Sequence, residues 1–127
     1  MQLISTHTIL TSDLGVKGNL FGGVFVTWID LAAYNLAAEA IKDPNIVTLK
    51  ISECLFLQPA KINNIVKIYG RIARVGNTSV TVEIEARKID VIKGDEVVLC
   101  TTSVVMVLVD VYGNPKKIKK AAIKDSF

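Results

Sequence analysis

The sequence predicts an α+β domain in which one long apolar helix is wrapped by a curved antiparallel sheet of about five strands. Three observations lead there. The run from Val24 to Ile41 holds no Gly or Pro and is rich in alanine in its second half, too long for an ordinary strand. From Asn45 onward the apolar period changes to two and stays there, with breaks at Gln58-Pro59, Gly76-Asn77 and Lys93-Gly94-Asp95. A helix that is apolar nearly all round needs a sheet curved about it and a second surface over what the sheet leaves open. The simplest second surface is another copy of the chain.

Taken in order, residues 2–11 alternate loosely and carry β-branched Ile4, Thr6, Thr8 and Ile9, which reads as a first strand. The stretch SDLGVKGNLFGG from Ser12 to Gly23 is a polar, glycine-containing loop. Val24, Val26, Thr27 and Ile29 argue mildly against the helix that follows, but length and the alanines outweigh them. Asp43-Pro44-Asn45 ends it, because proline disfavours helical geometry in the residue before it. Strands are expected over Ile46 to Leu57 and Ile62 to Val75. The next is the clearest: Val80, Val82, Ile84 and Ala86 alternate with Thr81, Glu83, Glu85 and Arg87, one face buried and one wet. Val97 to Val109 is nearly continuous in apolar residues, which predicts a central strand covered on both faces, closed by Tyr112-Gly113-Asn114-Pro115.

A chain of 127 residues is long enough for one core and too short for two ordinary domains, so residues 1–127 read as a single domain with a lysine-rich tail from about 116. Half the residues are apolar and mean hydropathy is +0.42, which raises the question of a membrane span. The one candidate, Val24 to Ile41, carries Asp30, Asn35 and Glu39; charge within a span is costly, so a helix buried in protein is expected and no membrane partner. The apolar surplus then points to burial in an oligomer, at the least an obligate homodimer. The opening MQLISTHTIL lacks the features of a secretory signal, so a cytoplasmic protein is expected. Cys54 and Cys100, far apart in apolar runs, suit buried reduced thiols. Of the net charge of +3, Lys116, Lys117, Lys119, Lys120 and Lys124 supply the excess; residues 1–115 hold ten basic and eleven acidic residues. That balance excludes a nucleic-acid partner for the body, and leaves the tail as either a phosphate attractor or a solvated terminus.

Asp30 is the anomaly that matters most. Between Ile29 and Leu31-Ala32-Ala33, an ionised carboxylate is costly unless paired or hydrogen-bonded. It is either a general base whose basicity burial enhances, or a carboxylate tied to a donor to fix packing. Just ahead lies GNLFGG, Gly18 to Gly23. Glycines there let a ligand approach the backbone, and amides at a helix start suit a developing negative oxygen. Gly22 and Asp30 are eight residues apart, roughly 12 Å along a helix, too far to act on one carbonyl within one subunit. Two antiparallel helices at a two-fold axis would bring the glycine of one chain beside the aspartate of the other. His7 is the single histidine, so Ser-His-Asp chemistry and zinc sites lack their usual groups and no metal is expected. Trp28, Phe21 and Tyr34 are either lining for an acyl pocket or plain core.

The segments GNLFGG, VTWIDLAA, VTLKISECLFLQPA and ARVGNTSVTVEIEARK together resemble the broad-specificity acyl-CoA thioesterases of the hotdog superfamily, over Thr8 to about Ile118. The resemblance rests on a Phe-Gly-Gly turn with an acid seven residues after its second glycine, combined with a strand ending in Leu-x-Pro. It implies that Asp30 is the catalytic acid, activating water or attacking the thioester carbon. By the same resemblance Gly22, with Gly23, supplies the amides that hold the thioester oxygen. Asn19 matches a catalytic asparagine of some relatives, and Thr48 a threonine near the acid. Arg74 and the turn Gly76, Asn77, Thr78 and Ser79 fall where relatives contact the coenzyme A chain. Many bacterial relatives have Asn-Gly-Asp where this chain has Lys17-Gly18-Asn19. The resemblance also implies stacking of homodimers into a hexamer, a trimer of dimers. The implied reaction is hydrolysis of acyl-CoA to coenzyme A and a carboxylic acid, with no cofactor beyond the coenzyme in the substrate. Two alternatives stand beside it: a non-catalytic acyl-CoA sensor, which has no use for a buried acid, and a hotdog dehydratase, which needs a histidine near the glycine turn.

Overall fold

The structure, a computed structural model, describes residues 1–119. Strand β1 (Gln2–Thr8) is followed by a short 3-10 turn and by helix α1 (Gly22–Ile41). Then come β2 (Ile46–Ile51), β3 (Ile65–Val75), β4 (Ser79–Ile89) and β5 (Glu96–Leu108). All pairings are antiparallel and the order across the sheet is β1-β3-β4-β5-β2. The expected architecture of one helix on a five-stranded curved sheet is the one observed. Phe25, Ile29, Ala32, Ala33, Leu36, Ala37 and Ile41 seat α1 on the inner sheet face, against Val66, Ile68, Ile72, Val82, Ile84 and Val104. Alanines let the helix approach closely, and Gly70 lies where space is short: a Cβ there would lie 3.1 Å from Ile84 Cδ1 and 3.3 Å from the Glu83 carbonyl, both on β4, and 3.4 Å from Leu36 Cδ2 on the helix.

Several boundaries differ from expectation, each for a local reason. The helix starts two residues early, since the Gly-Gly pair forms its first turn, and it ends with Lys42 in the left-handed region (φ 62), whose N–H donates to the Ala38 carbonyl. The first strand stops at Thr8 because Ile9 pairs instead with Asn63 and Asn64. The strand expected to Leu57 stops at Ile51. Beyond it the backbone N–H groups that reach β5 are those of Ser52 and Leu57, and Phe56 turns its ring onto Phe25, 4.7 Å between centroids. The strand expected from Ile62 begins at Ile65, because Asn63 is left-handed (φ 69) and Asn64 folds back on Lys61. Strand β5 is not covered on both faces within one chain. Leu99, Val104, Met106 and Leu108 are buried on α1, whereas Val98, Val105 and Val107 face outward, half-buried. The helix is likewise buried on one side only: Val26 and Leu31 are exposed, 38% and 54%. Although α1 has the length and composition of a membrane span, its other side is the floor of this core.

The lysine tail is not a free run over 116–119. Lys116 N–H donates to the Leu108 carbonyl, Ile118 N–H donates to the Asn77 carbonyl, and the Ile118 side chain is buried. Lys120 and Lys124 lie outside the described residues.

Candidate active site

Asp30 lies on the flank of α1 that faces the edge strand β2. Thr48, on β2, donates its hydroxyl to Asp30 Oδ1 at 2.5 Å. A bulge between Thr48 and Lys50 lets Thr48 point at the helix while Leu49 stands out into solvent. The carboxylate is half-buried, less enclosed than its apolar neighbours in sequence suggest, because β2 is the edge strand and no strand among the described residues pairs beyond it.

At the other end of the site's frame, α1 begins with no side-chain cap: Phe21 is the N-cap residue and makes none. Its first-turn amides are therefore free to bind an oxygen, with the positive end of the helix dipole behind them. The two glycines differ in what they permit. A Cβ on Gly22 would meet nothing within 4 Å, so its amide is open to approach; a Cβ on Gly23 would collide with the Phe21 ring at 2.8 Å, so that glycine serves the packing of Phe21. Asn19 holds the preceding loop through its backbone, its carbonyl accepting from Gly15 N–H and its main chain bridging Lys61, with Gly18 at φ 79 shaping the bend.

The structure thus joins Asp30 to Thr48 and leaves Gly22, Gly23 and Asn19 two turns of helix or more away in the same chain. Trp28, two residues from Asp30 and so roughly 200° around the helix, faces β1, where His7 stacks on it with centroids 4.3 Å apart. Burial lowers the pKa of His7 and Asp13 partly offsets that. Tyr34 donates to the Pro44 carbonyl. The cavity of about 390 Å³ between β1 and the second half of α1 contains neither Asp30 nor Gly22. Cys100 is buried beside Cys54, and its thiol is pushed up to about 12, chiefly by burial, which suits a reduced, unreactive cysteine.

Arg74 closes β3, and the turn to β4 is held by Gly76 N–H on the Ser79 carbonyl, 2.7 Å. A Cβ at Gly76 would lie 2.8 Å from Ser79 Oγ. Thr78 and Asn77 turn their carbonyls to Leu108 and Ile118. Seating of the tail on this turn was missed by sequence reasoning, since no local spacing announces it.

One helix on this sheet, with an acid on its flank and an uncapped Gly-Gly start, is the hotdog fold. A family profile described as the Thioesterase superfamily matches residues 17–94, more than half the chain, and the chain belongs to that superfamily. It is 29% identical over 119 residues to an uncharacterized acyl-CoA thioester hydrolase of Buchnera aphidicola, covering 91% of this chain and 87% of that one. It is 32% identical over 84 residues to acyl-CoA thioester hydrolase YciA of Escherichia coli, covering 66% of this chain and 63% of that one. Among solved structures, Cj0915, a hexameric hotdog fold thioesterase of Campylobacter jejuni, superposes with a TM-score of 0.84 at 28% identity, covering 96% of this chain and 93% of that one.

Proposed function

We propose that the protein hydrolyses acyl-CoA thioesters at a site shared by two copies of the chain, with Asp30 from one and the Gly22 amide from the other. The observation that carries this reading is the Asp30 carboxylate, held by Thr48 and open on the side where its own chain ends. A pairing of antiparallel helices that sets Asp30 opposite Gly22 of a second copy places Val26, midway between them, on the two-fold axis. Val26 and Leu31 are exposed on α1, so the helix flank to be covered is apolar, as a dimer interface requires. The superfamily membership and the hexameric relative support assembly beyond the dimer, as a trimer of dimers.

In the reaction the thioester oxygen accepts the Gly22 N–H, with Gly23 beside it. Asp30 takes a proton from water, whose oxygen adds to the carbonyl carbon. Negative charge builds on the oxygen held by the amides and then returns to carbon as the C–S bond breaks. Coenzyme A leaves as thiolate and recovers the proton from Asp30. Direct attack by the carboxylate reaches the same products through a mixed anhydride that water opens. Either route needs only Asp30, the amides and water, so the chain works without a cofactor, in the cytoplasm where acyl-CoA and its two free thiols coexist. Thr48 and Asn19 act as positioning groups, and Arg74 with Gly76, Asn77, Thr78 and Ser79 runs along the coenzyme chain. His7 is stacked on Trp28, on the opposite side of α1 from Asp30, which disfavours dehydratase chemistry. The test is thiol release from a panel of acyl-CoA esters of graded chain length. Turnover with at least one ester is the expected result, whereas tight binding without thiol release would make the protein a sensor.

A further inference from the structure

We infer that the cavity at the C-terminal end of α1, lined by Lys42, Lys116, Lys117 and Lys119, binds the phosphate groups at the nucleotide end of coenzyme A. The inference rests on the reading of the protein as an acyl-CoA hydrolase and adds a subsite to it. The cavity measures about 250 Å³ and has Ile41 and Leu108 as its apolar floor. Its single carboxylate, Asp43, is 4.0 Å from Lys116 and accepts a hydrogen bond from Asn45 N–H. Four lysines and one aspartate among the lining residues give the cavity an excess of three positive charges.

A solvated terminus would let these charges spread apart. Here the backbone prevents it: Val109 bridges Pro115, Lys116 N–H donates to Leu108 at 2.8 Å, and Ile118 N–H donates to Asn77 at 2.7 Å. Ile118 is 2% exposed, so Lys117 and Lys119 are fixed on either side of a buried anchor. Holding like charges together costs free energy that an anion returns. The negative end of the helix dipole is too small a partner, since it amounts to about half a charge.

Placement identifies the anion. The tail sits on the carbonyl of Asn77 and β5 on that of Thr78, the turn along which the coenzyme chain is expected to run. From Asp30 to Ile41 is eleven residues, roughly 16 Å along the helix, which is within reach of an extended pantetheine arm whose thioester sits at Asp30. Phosphates at the far end of that arm arrive at the lysines. Lysine suits them as a set of mobile point charges with several donors each.

The experiment titrates the full chain with coenzyme A, pantetheine and ADP, for the wild type and for Lys117→Glu/Lys119→Glu. Lys67→Glu/Lys93→Glu controls for net charge. Coenzyme A affinity should fall by roughly tenfold or more in the first variant, the scale of lost charge-assisted contacts, and its salt dependence should flatten. Pantetheine affinity should not change, and the control should follow the wild type. In turnover, KM for acyl-CoA should rise relative to KM for the matching acyl-pantetheine. Unchanged coenzyme A affinity in Lys117→Glu/Lys119→Glu overturns the inference. So does loss of ADP binding alone with KM intact, because the cavity would then serve a free nucleotide. If the wild type releases no thiol from any ester yet binds coenzyme A through these lysines, the hydrolase reading falls and the subsite stands.

Discussion

Replacing Asp30 by Asn separates chemistry from architecture, because the structure gives the carboxylate only one protein partner among the described residues, the Thr48 hydroxyl. An asparagine oxygen can accept the same hydrogen bond, so the fold loses only the difference between a charge-assisted and a neutral bond, about 1 kcal/mol. For a half-buried group in a chain of this size that lowers Tm by about 4 °C or less. The reaction loses a positioned base, which is worth on the order of a hundredfold to ten-thousandfold in kcat, or about 3–5 kcal/mol of barrier. Thr48→Val keeps the base and removes its orientation, so it should lower kcat by roughly tenfold, the cost of one hydrogen bond to a charged group, and Thr48→Ser should restore it. Thiol release and thermal melting on the same preparations read both effects. A folded Asp30→Asn protein with near wild-type turnover would refute the catalytic assignment, and a Tm collapse with turnover surviving in the folded fraction would make Asp30 structural.

Three further outcomes are expected. Gly70→Ala forces a methyl against Ile84, Leu36 and the immovable Glu83 carbonyl. It should cost roughly 1–3 kcal/mol, read as a lower midpoint in denaturant; an unchanged midpoint would mean that Ile84 and the β4 backbone give way without loss. Val26→Cys should form a disulfide-linked dimer on mild oxidation, since residues facing each other at a two-fold axis meet the distance a disulfide needs; a monomeric band on a non-reducing gel, with the wild type as control, would move the axis. The pKa of His7 is lowered by burial, with Asp13 opposing, so its contribution to stability is present above about pH 6.5. That contribution is lost as pH falls through the folded-state value. Wild-type Tm should therefore drop more than that of His7→Gln between neutral and mildly acid pH, and parallel curves would show that protonation leaves the Trp28 stack intact.

How far the sequence discloses this molecule depends on the range of the interaction involved. The helix and β4 are plain because their signals are local: a run without breakers and a strict alternation of period two. The end of β2 is hidden because apolar alternation continues into Ser52–Leu57, while a contact with Phe25, on the helix, takes Phe56 away from the sheet. Asp30 stands out as a charge among apolar neighbours, but its partner Thr48 is eighteen residues on, a helix-to-strand contact that no spacing rule encodes and that only the family resemblance supplies. Of the Gly-Gly pair, the sequence treats both alike; the Phe21 ring over Gly23 and the open approach to Gly22 divide their roles. The lysine run is visible as charge, whereas its shape depends on Ile118 finding the Asn77 carbonyl.

Burial in an apolar helix was the reason to suspect Asp30, yet within one chain the carboxylate is only half-buried. Its neighbours on α1, Val26 and Leu31, are themselves exposed. Charged groups are sparse there, in contrast to the outer face of β3 and β4, where Arg71 pairs with Glu83 and Arg87 with Glu85 and Glu96. An apolar rim around a lone carboxylate stabilises nothing in a monomer. Covered by a second copy as proposed, the same rim would exclude water from the carboxylate, strengthen its interaction with developing charge, and bring the amide that the chain's own Gly22 is too far away to provide. On the proposed shared-site reading, the apolar surplus, the half-exposed acid and the uncapped helix start become three aspects of one design, in which assembly would complete the catalytic environment.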